Sequence, residues 1–140
     1  MKITGINHVG LAPKDPAKAK WFLEVALGLP HLGEELVASQ STLTTMFDSK
    51  GRGASARLEI LENDDDKDGP IRKFLEKKGA GIHHLAMTVD SVEEAIKRMV
   101  SLNVKMIDSQ PRPGAHNTKI AFVHPESTGG LLVEFVQERG

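Results

Sequence analysis

The sequence contains no cysteine and no long apolar run, and its charges nearly balance. Without cysteine the chain can form neither disulfide bonds nor thiolate metal sites, so any bound metal ion must be held mainly by His, Asp or Glu. The 18 basic and 19 acidic residues give a formal net charge of −1, which predicts no general attraction to nucleic acid or to an anionic membrane. No window approaches the ~18 apolar residues that a membrane-spanning helix requires, so we expect no membrane-embedded part.

The N-terminal stretch also lacks a targeting pattern. MKITGINHV contains no charged region followed by an apolar run and a cleavage site, so we expect no signal peptide and a cytoplasmic location. Apolar residues make up 39% of the chain and charged residues 26%, which is typical of a soluble globular protein. A length of 140 residues allows one compact domain or two small halves that share a core.

Two stretches of the chain resemble each other at a distance of about 76 residues. GINHVG (5–10) and GIHHLA (81–86) each place a histidine, His8 and His84, two positions after a Gly-Ile pair and before a mainly apolar stretch. Both stretches predict a strand that is largely buried. The repeat therefore predicts two related halves, each with a histidine in its first strand.

A helix pattern follows each of these strands. In the first half, Asp15 is the predicted N-cap and Pro16 the first helical residue. In the second half, Asp90 is the predicted N-cap, Glu93 completes a start that resembles a capping box, and Asn103 closes the helix. The predicted buried stripes are Ala19, Phe22, Leu23 and Ala26 in the first helix, and Val92, Ile96, Met99 and Val100 in the second.

Each half ends in a predicted strand with a glutamate near its middle. SARLEILE (55–62) contains Glu59, and GLLVEFVQ (130–137) contains Glu134, about 75 residues further on. Further strands are predicted at residues 34–38, 43–47, 104–108 and 119–123. Each half is therefore predicted as a strand, a helix and about three more strands.

The two closing glutamates differ in their local surroundings. The neighbours of Glu134 are apolar on both faces of the strand, and an unpaired buried carboxylate is costly unless a cation is bound to it. Glu59 is ambiguous, because it shares its face with Arg57 and Leu61. It could pair with the arginine, or that part of the strand could face solvent.

An approximate two-fold relation between the halves could bring the repeated side chains together. His8, His84, Glu59 and Glu134 would then form a set of two nitrogen and two oxygen donors, which suits Zn, Ni, Co, Mn or Fe better than Ca or Mg. Positions left open on the ion could accept substrate oxygens or water. A single strand histidine more often has a structural role, but the matched duplication favours a metal site.

The remaining candidates carry less information. His83 points to the opposite side of its strand from His84, so we expect it to be structural. Three histidines lie in loop-like segments, where surface roles are expected: His31, His116 and His124. The candidates for contact with an anionic ligand are Arg112, Lys119 and Ser127, the last in the Gly-rich STGG (127–130).

Three longer segments carry a family resemblance. They are INHVGLAPKDPAKAKWFLEVALGL, GPIRKFLEKKGAGIHHLAMTVDSVEEAI and PRPGAHNTKIAFVHPESTGGLLVEF. They resemble the methylmalonyl-CoA epimerase family of the vicinal oxygen chelate superfamily, which also contains glyoxalase I, extradiol dioxygenases and bleomycin-resistance proteins. IRKFLEKKGAGIHH and IAFVHPESTGG resemble the epimerase branch specifically. The similarity covers most of the chain and is weakest at residues 31–57.

The resemblance implies an α+β fold. Two pseudo-symmetric βαβββ modules would form a cupped eight-stranded mixed sheet around a divalent metal ion. The whole chain, 1–140, would be a single vicinal oxygen chelate domain. Module one would span about residues 1–62, a linker and short helix about 63–79, and module two about 80–140.

The resemblance also implies the site residues. The family's metal ligands match His8, Glu59, His84 and Glu134, and the ion would be Co, Ni, Zn or Mn. Glu134 also matches one of the family's two catalytic bases. The other base aligns with Thr44, which cannot act as a base at neutral pH. Either Glu59 replaces that base beside Glu134, or the mechanism differs, or the alignment has slipped in this weak region.

The implied activity is the metal-dependent interconversion of the R and S forms of methylmalonyl-CoA. A proton would be abstracted from C2 and returned through a metal-stabilised enolate. The expected partners are an acyl-CoA substrate and a second copy of the chain in a homodimer, with no nucleic acid and no membrane. The alternatives are glyoxalase I (lactoylglutathione lyase) activity with the same four ligands, and a non-catalytic small-molecule-binding protein on the same fold.

Overall fold

The computed structural model describes residues 1–49, 56–65 and 67–139. Its contacts divide the chain into two compact units. We call His8–His83 the N-terminal unit, and Met1–Asn7 together with His84–Gly140 the C-terminal unit. In these described ranges no helix is both long and apolar enough to cross a membrane. The cytoplasmic location stays a prediction.

Helices and strands follow one another in the predicted pattern. Across the described ranges, the elements in chain order are β1 (Ile3–Ala12), α1 (Pro16–Trp21), β2 (His31–Val37), β3 (Thr42–Phe47), β4 (Arg57–Asn63), α2 (Pro70–Lys78), β5 (Gly81–Val89), α3 (Val92–Ser101), β6 (Arg112–Gly114), β7 (Thr118–Val123) and β8 (Val133–Gln137). The strands form one mixed sheet in the order β2-β3-β4-β1-β5-β8-β7-β6. A strand, a helix and three strands thus occur twice, which confirms the predicted α+β fold with two βαβββ modules.

In the N-terminal unit, β4 separates an apolar face from the face that carries Glu59. β4 runs parallel to β1, and β3 is antiparallel to both β4 and β2. Since side chains alternate along a strand, Ile60 and Glu59 point to opposite faces. One buried cluster contains Leu23, Phe47 and Ile60, and a second contains Ala12, Leu61 and Ile71. Residues 16–27, which we call the α1 region, therefore cover the face opposite Glu59.

The C-terminal unit has the same arrangement. β8 runs parallel to β5, and β7 is antiparallel to both β8 and β6. One buried cluster packs beneath α3, and its members are Val89, Val92, Ala95, Ile96, Ala121, Val123 and Phe135. The other cluster contains Ala86, Ile120, Phe122 and Val136. Glu134 shares its face with Val136, so the second cluster forms apolar surroundings for this carboxylate.

The predicted start of α1 is confirmed, but its apolar stripe is only partly buried. The Asp15 side chain accepts a hydrogen bond from the Lys18 N–H, and Pro16 begins the helix. After Trp21 the chain continues as a π-helical turn, Phe22–Ala26. This wider turn changes which side chains face the sheet. Leu23 is buried, whereas Phe22 is 52% exposed.

The predicted N-cap of α3 is wrong by one residue. Ser91 caps the helix, and its side chain accepts a hydrogen bond from the Glu94 N–H. The Asp90 carboxylate instead accepts a hydrogen bond from the Lys2 N–H at 2.8 Å. That contact occupies the side chain that would otherwise cap the helix. Asn103 follows the helix with a φ of 60°, as a closing residue does.

Most predicted strands are confirmed, and one is not. Strands β2, β3 and β7 lie at the predicted places. The strand predicted at 55–62 is β4; Ser55 lies outside the described residues. Residues 104–108 form only an isolated bridge, between Met106 and Val123. The Asp108 carboxylate accepts a hydrogen bond from the Phe122 N–H at 2.8 Å, so a side chain takes the place of a strand partner there. The edge strand β6 lies further along the chain.

Candidate active site

The N-terminal unit contains a buried pair of ligand-type side chains. His8 Nε2 of β1 lies 3.5 Å from Glu59 Oε1 of β4. Only 7% of His8 and 3% of Glu59 is exposed. Gly10 lies opposite Glu59 in the parallel register, so His8 is two residues before the position opposite the glutamate on the same face.

The burial of Glu59 resolves the ambiguity of its local sequence. The interpretation in which this part of β4 faces solvent is wrong. Arg57 lies opposite His8 in the register, and Leu61 packs against α2. Glu59, which lies between these two residues in β4, is therefore held within the sheet beside the imidazole of His8.

The C-terminal unit contains a second pair with the same internal geometry. His84 Nε2 of β5 lies 3.4 Å from Glu134 Oε1 of β8, and each residue is 6% exposed. Ala86 lies opposite Glu134, so this histidine is also two residues before the position opposite its glutamate. The ring of Phe122 meets His84 edge-on, with centroids 5.9 Å apart. The two halves of the sequence repeat therefore share the same parallel register between the strand with the histidine and the strand with the glutamate.

The two pairs have the chemistry of metal ligands. An N···O distance of 3.4–3.5 Å is longer than the ~2.7–2.9 Å of a charge-assisted hydrogen bond. Bonds of ~2.0–2.2 Å to one metal ion separate neighbouring donor atoms by roughly 3–3.4 Å. Imidazole nitrogen and carboxylate oxygen are ligands that first-row transition metals accept. Each pair therefore fits two neighbouring ligands of such an ion.

The other histidines lie outside these pairs. The His83 ring packs edge-on against Phe74 of α2 at 4.9 Å, which agrees with the structural role expected for it. The His31 ring packs against Phe47 at 5.5 Å. His124 Nδ1 accepts a hydrogen bond from the Glu126 N–H.

The three candidates for anion contact lie in different surroundings. Lys119 Nζ is 2.6 Å from Glu93 Oε1 on α3 and holds the pKa of that carboxyl below its ordinary value. The Ser127 hydroxyl accepts a hydrogen bond from the Lys105 N–H. Arg112 lies opposite Ile120, which shares a face with Phe122 and hence with Glu134. Of the three, Arg112 alone lies on the Glu134 face.

Thr44 is buried on the face that carries Glu59. It lies opposite Leu61, and its hydroxyl donates to the backbone oxygen of Glu35 at 3.1 Å. Glu35 lies opposite Thr44 and is half-buried on the same face. Glu35 was not among the predicted site residues, although the consecutive glutamates of GEELV must place one carboxylate on each face of a strand.

The chain belongs to the Glyoxalase/Bleomycin resistance protein/Dioxygenase superfamily, which residues 7–122 match. Within it, an uncharacterized protein of Bacillus subtilis, YqjC, is 36% identical over 135 residues, covering 96% of this chain and 93% of that protein. The ethylmalonyl-CoA/methylmalonyl-CoA epimerase of Cereibacter sphaeroides is 31% identical over 134 residues, covering 94% and 96%.

Solved structures show the same relationship. The methylmalonyl-CoA epimerase of Mycobacterium tuberculosis is 32% identical, with a TM-score of 0.90 over 99% of this chain and 90% of that one. A variant of the Streptomyces coelicolor methylmalonyl-CoA epimerase, solved in complex with 2-nitronate-propionyl-CoA, is 26% identical, with a TM-score of 0.89 over 99% and 97%. These similarities support an epimerase, as the sequence predicts.

Proposed function

We propose that the protein interconverts the two C2 epimers of methylmalonyl-CoA in a metal-dependent reaction. The observation that carries the proposal is the repeated pair of a buried histidine and a buried glutamate. Similarity to epimerases over nearly the whole chain supports the substrate. Inversion at a carbon between a carboxylate and a thioester needs proton carriers on both faces, and two related halves offer one glutamate each.

The proposed metal ligands are His8, Glu59, His84 and Glu134. His8 and Glu59 lie side by side in the N-terminal unit, His84 and Glu134 lie side by side in the C-terminal unit, and all four are buried. Their strands lie in the middle of the sheet, where β4, β1, β5 and β8 follow one another. Co, Ni, Zn or Mn suits these donors. A bound ion would act as a Lewis acid and stabilise negative charge on the thioester oxygen.

The two glutamates are the proposed proton carriers. One carboxylate accepts the C2 proton, the C–H bond breaks, and its electron pair moves toward the thioester carbonyl to give an enolate. The other glutamate, as a carboxylic acid, returns a proton to the opposite face of C2 and inverts the configuration. Glu134 and Glu59 fill these roles in turn, because the reaction runs in both directions. His84 and His8 position the carboxylate beside which each lies.

We also propose a homodimer, because the α1 region exposes an apolar face. The exposed fractions are 57% for Trp21, 52% for Phe22, 61% for Val25 and 52% for Leu27. Large contiguous apolar patches are typical of protein interfaces. Lys18 and Glu24 lie three residues before and after Trp21. Two copies of this helix packed antiparallel about Trp21 would therefore bring Lys18 of one copy near Glu24 of the other.

Deuterium exchange tests the proposed activity. The metal-reconstituted protein is incubated with one epimer of methylmalonyl-CoA in D2O, and deuterium at C2 is followed. We expect loss of the C2 proton with inversion, abolished by a chelator and by Glu134→Gln. Absence of exchange with Co, Ni, Zn and Mn each restored would overturn the proposal. Turnover of the methylglyoxal–glutathione adduct would then identify glyoxalase I activity, and ligand binding without turnover a binding protein.

A further inference from the structure

We propose that Arg112 binds an anionic group of the acyl-CoA substrate, either the free carboxylate of the acyl group or a phosphate of CoA. This inference rests on the proposed function, because it names the substrate group that the same site recognises. Its support comes from the C-terminal unit alone. There the guanidinium of Arg112 is held on the face that carries His84 and Glu134.

The position of Arg112 follows from the strand register. Arg112 of β6 lies opposite Ile120 of β7, and Phe122 of β7 lies opposite Glu134 of β8. Paired residues on neighbouring strands share a face, and so do residues two apart on one strand. Arg112, Phe122 and Glu134 therefore lie on one face, and a cation at its edge faces the same side as the proposed proton carrier.

Two contacts within the C-terminal unit hold the guanidinium of Arg112 in place. Its central carbon lies 5.3 Å from the centre of the Phe122 ring, within the range of a cation–π contact. Arg112 Nε lies 3.1 Å from Asp108 Oδ1. The other oxygen, Asp108 Oδ2, accepts the hydrogen bond from the Phe122 N–H, so the carboxylate itself is anchored. A side chain held in this way loses little further entropy when it binds a ligand.

The contacts of Arg112 leave its outer edge available. The contact with Asp108 is close, but Nε has no well-aligned hydrogen-bond acceptor in the described residues, so we regard it mainly as charge pairing. It involves Nε and not the terminal amino groups of the fork. About a third of the Arg112 side chain, 35%, is exposed. A planar fork of this kind matches the two oxygens of a carboxylate or phosphate.

Lys119 provides a matched control. It belongs to the same strand pair, because it lies opposite Pro113, the neighbour of Arg112. It also has a carboxylate partner, Glu93, but that partner is on α3 and lies on the other face of the sheet. A general effect of positive charge would therefore appear in both variants. Recognition by the guanidinium would appear in the Arg112 variant only.

The experiment measures binding separately from turnover. Dissociation constants for malonyl-CoA are determined by calorimetry for the metal-loaded wild type, Arg112→Gln, Arg112→Lys and Lys119→Gln. We expect Arg112→Gln to weaken binding roughly 10- to 100-fold, as for loss of charge-assisted hydrogen bonds. Arg112→Lys should restore binding only in part, and Lys119→Gln should leave it within about threefold. Equal affinities of wild type and Arg112→Gln would overturn the proposal.

Two further ligands identify the anionic group. Propionyl-CoA lacks the acyl carboxylate, and malonyl-pantetheine lacks the phosphates. If the acyl carboxylate is the partner, Arg112→Gln weakens binding of malonyl-pantetheine but not of propionyl-CoA, and the reverse result identifies a phosphate. If neither ligand is sensitive to Arg112→Gln, the inference is wrong.

Asp108→Asn tests whether the effect of Arg112→Gln is structural, because this variant removes the charge pairing and keeps the arginine. We expect this variant to bind malonyl-CoA more tightly than Arg112→Gln, because it keeps the guanidinium. A loss equal to that of Arg112→Gln would indicate a structural role and overturn the proposal. Arginine-dependent binding without C2 exchange by the wild type would contradict the proposed function and not this inference. C2 exchange by the wild type without arginine-dependent binding would contradict this inference and not the proposed function.

Discussion

His84 Nε2 lies 3.4 Å from Glu134 Oε1, almost the distance that separates His8 from Glu59 in the other unit. In both cases a parallel strand pair sets the distance, with the histidine two residues before the position opposite the glutamate. A register shift of one residue would turn every side chain of the strand to the other face. The parallel pairings therefore determine where these imidazoles and carboxylates meet.

Glu134→Gln keeps the size of the side chain and removes its ability to carry a proton. We expect kcat for C2 exchange to fall by about 10²- to 10⁴-fold, the usual contribution of a positioned acid or base. The matched control is Glu126→Gln, which alters an exposed carboxylate paired with Lys105. A Glu134→Gln enzyme with wild-type kcat would show that another group carries the proton.

Glu59 and Glu35 offer a direct comparison, since both lie on one face of the N-terminal unit. If Glu59 is the second proton carrier, Glu59→Gln lowers kcat by about 10²-fold or more, whereas Glu35→Gln stays within about threefold. Steady-state measurement of kcat for both variants shows which of the two glutamates carries the proton. The opposite ranking would assign the proton transfer to Glu35, which lies across from Thr44.

The sequence predicted the positions of strands where residues repeat. It did not predict burial or helix capping that depends on contacts between distant segments. The strands of His8, Glu59, His84 and Glu134 were predicted because the repeat spans nearly the whole chain. The burial of Glu59 was not visible locally, because its neighbour Arg57 is compatible with a solvent-facing strand. The α3 cap was misplaced because the Lys2 N–H binds Asp90, a contact between residues far apart in the sequence.

The contact between Lys119 and Glu93 predicts a pH dependence of stability. Lys119 holds the pKa of Glu93 below its ordinary value in the folded protein. The resulting stabilisation is present above the unfolded-state pKa, about 4.3, and is lost as the pH falls through the lower folded-state pKa. We expect Lys119→Met to lower the free energy of unfolding more at pH 6 than at pH 3, as measured by urea titration. An equal loss at both pH values would contradict this linkage.

The exposed face of the α1 region predicts a self-association that one substitution weakens. Replacing Trp21, which is 57% exposed, by serine removes the largest apolar side chain of that face. We expect the wild type to sediment as a dimer. The dimer of the Trp21→Ser variant should have a dissociation constant ~10-fold or more above that of the wild type. Val100→Ser is the control, because Val100 is equally exposed but lies on α3. A wild type that stays monomeric at high concentration would exclude the homodimer.

Two adjacent histidines make the metal requirement testable by stability alone. A ligand that binds only the folded state adds about 2.7 kcal/mol when its concentration is 100 times its Kd, so metal should raise the melting temperature and a chelator should reverse the rise. His84→Ala removes a proposed ligand and should abolish most of this response, whereas His83→Ala removes a ring packed on Phe74 and should keep it. Melting curves are recorded with chelator first, to establish that both variants fold. A response to metal that survives His84→Ala in full would place the ion elsewhere in the protein.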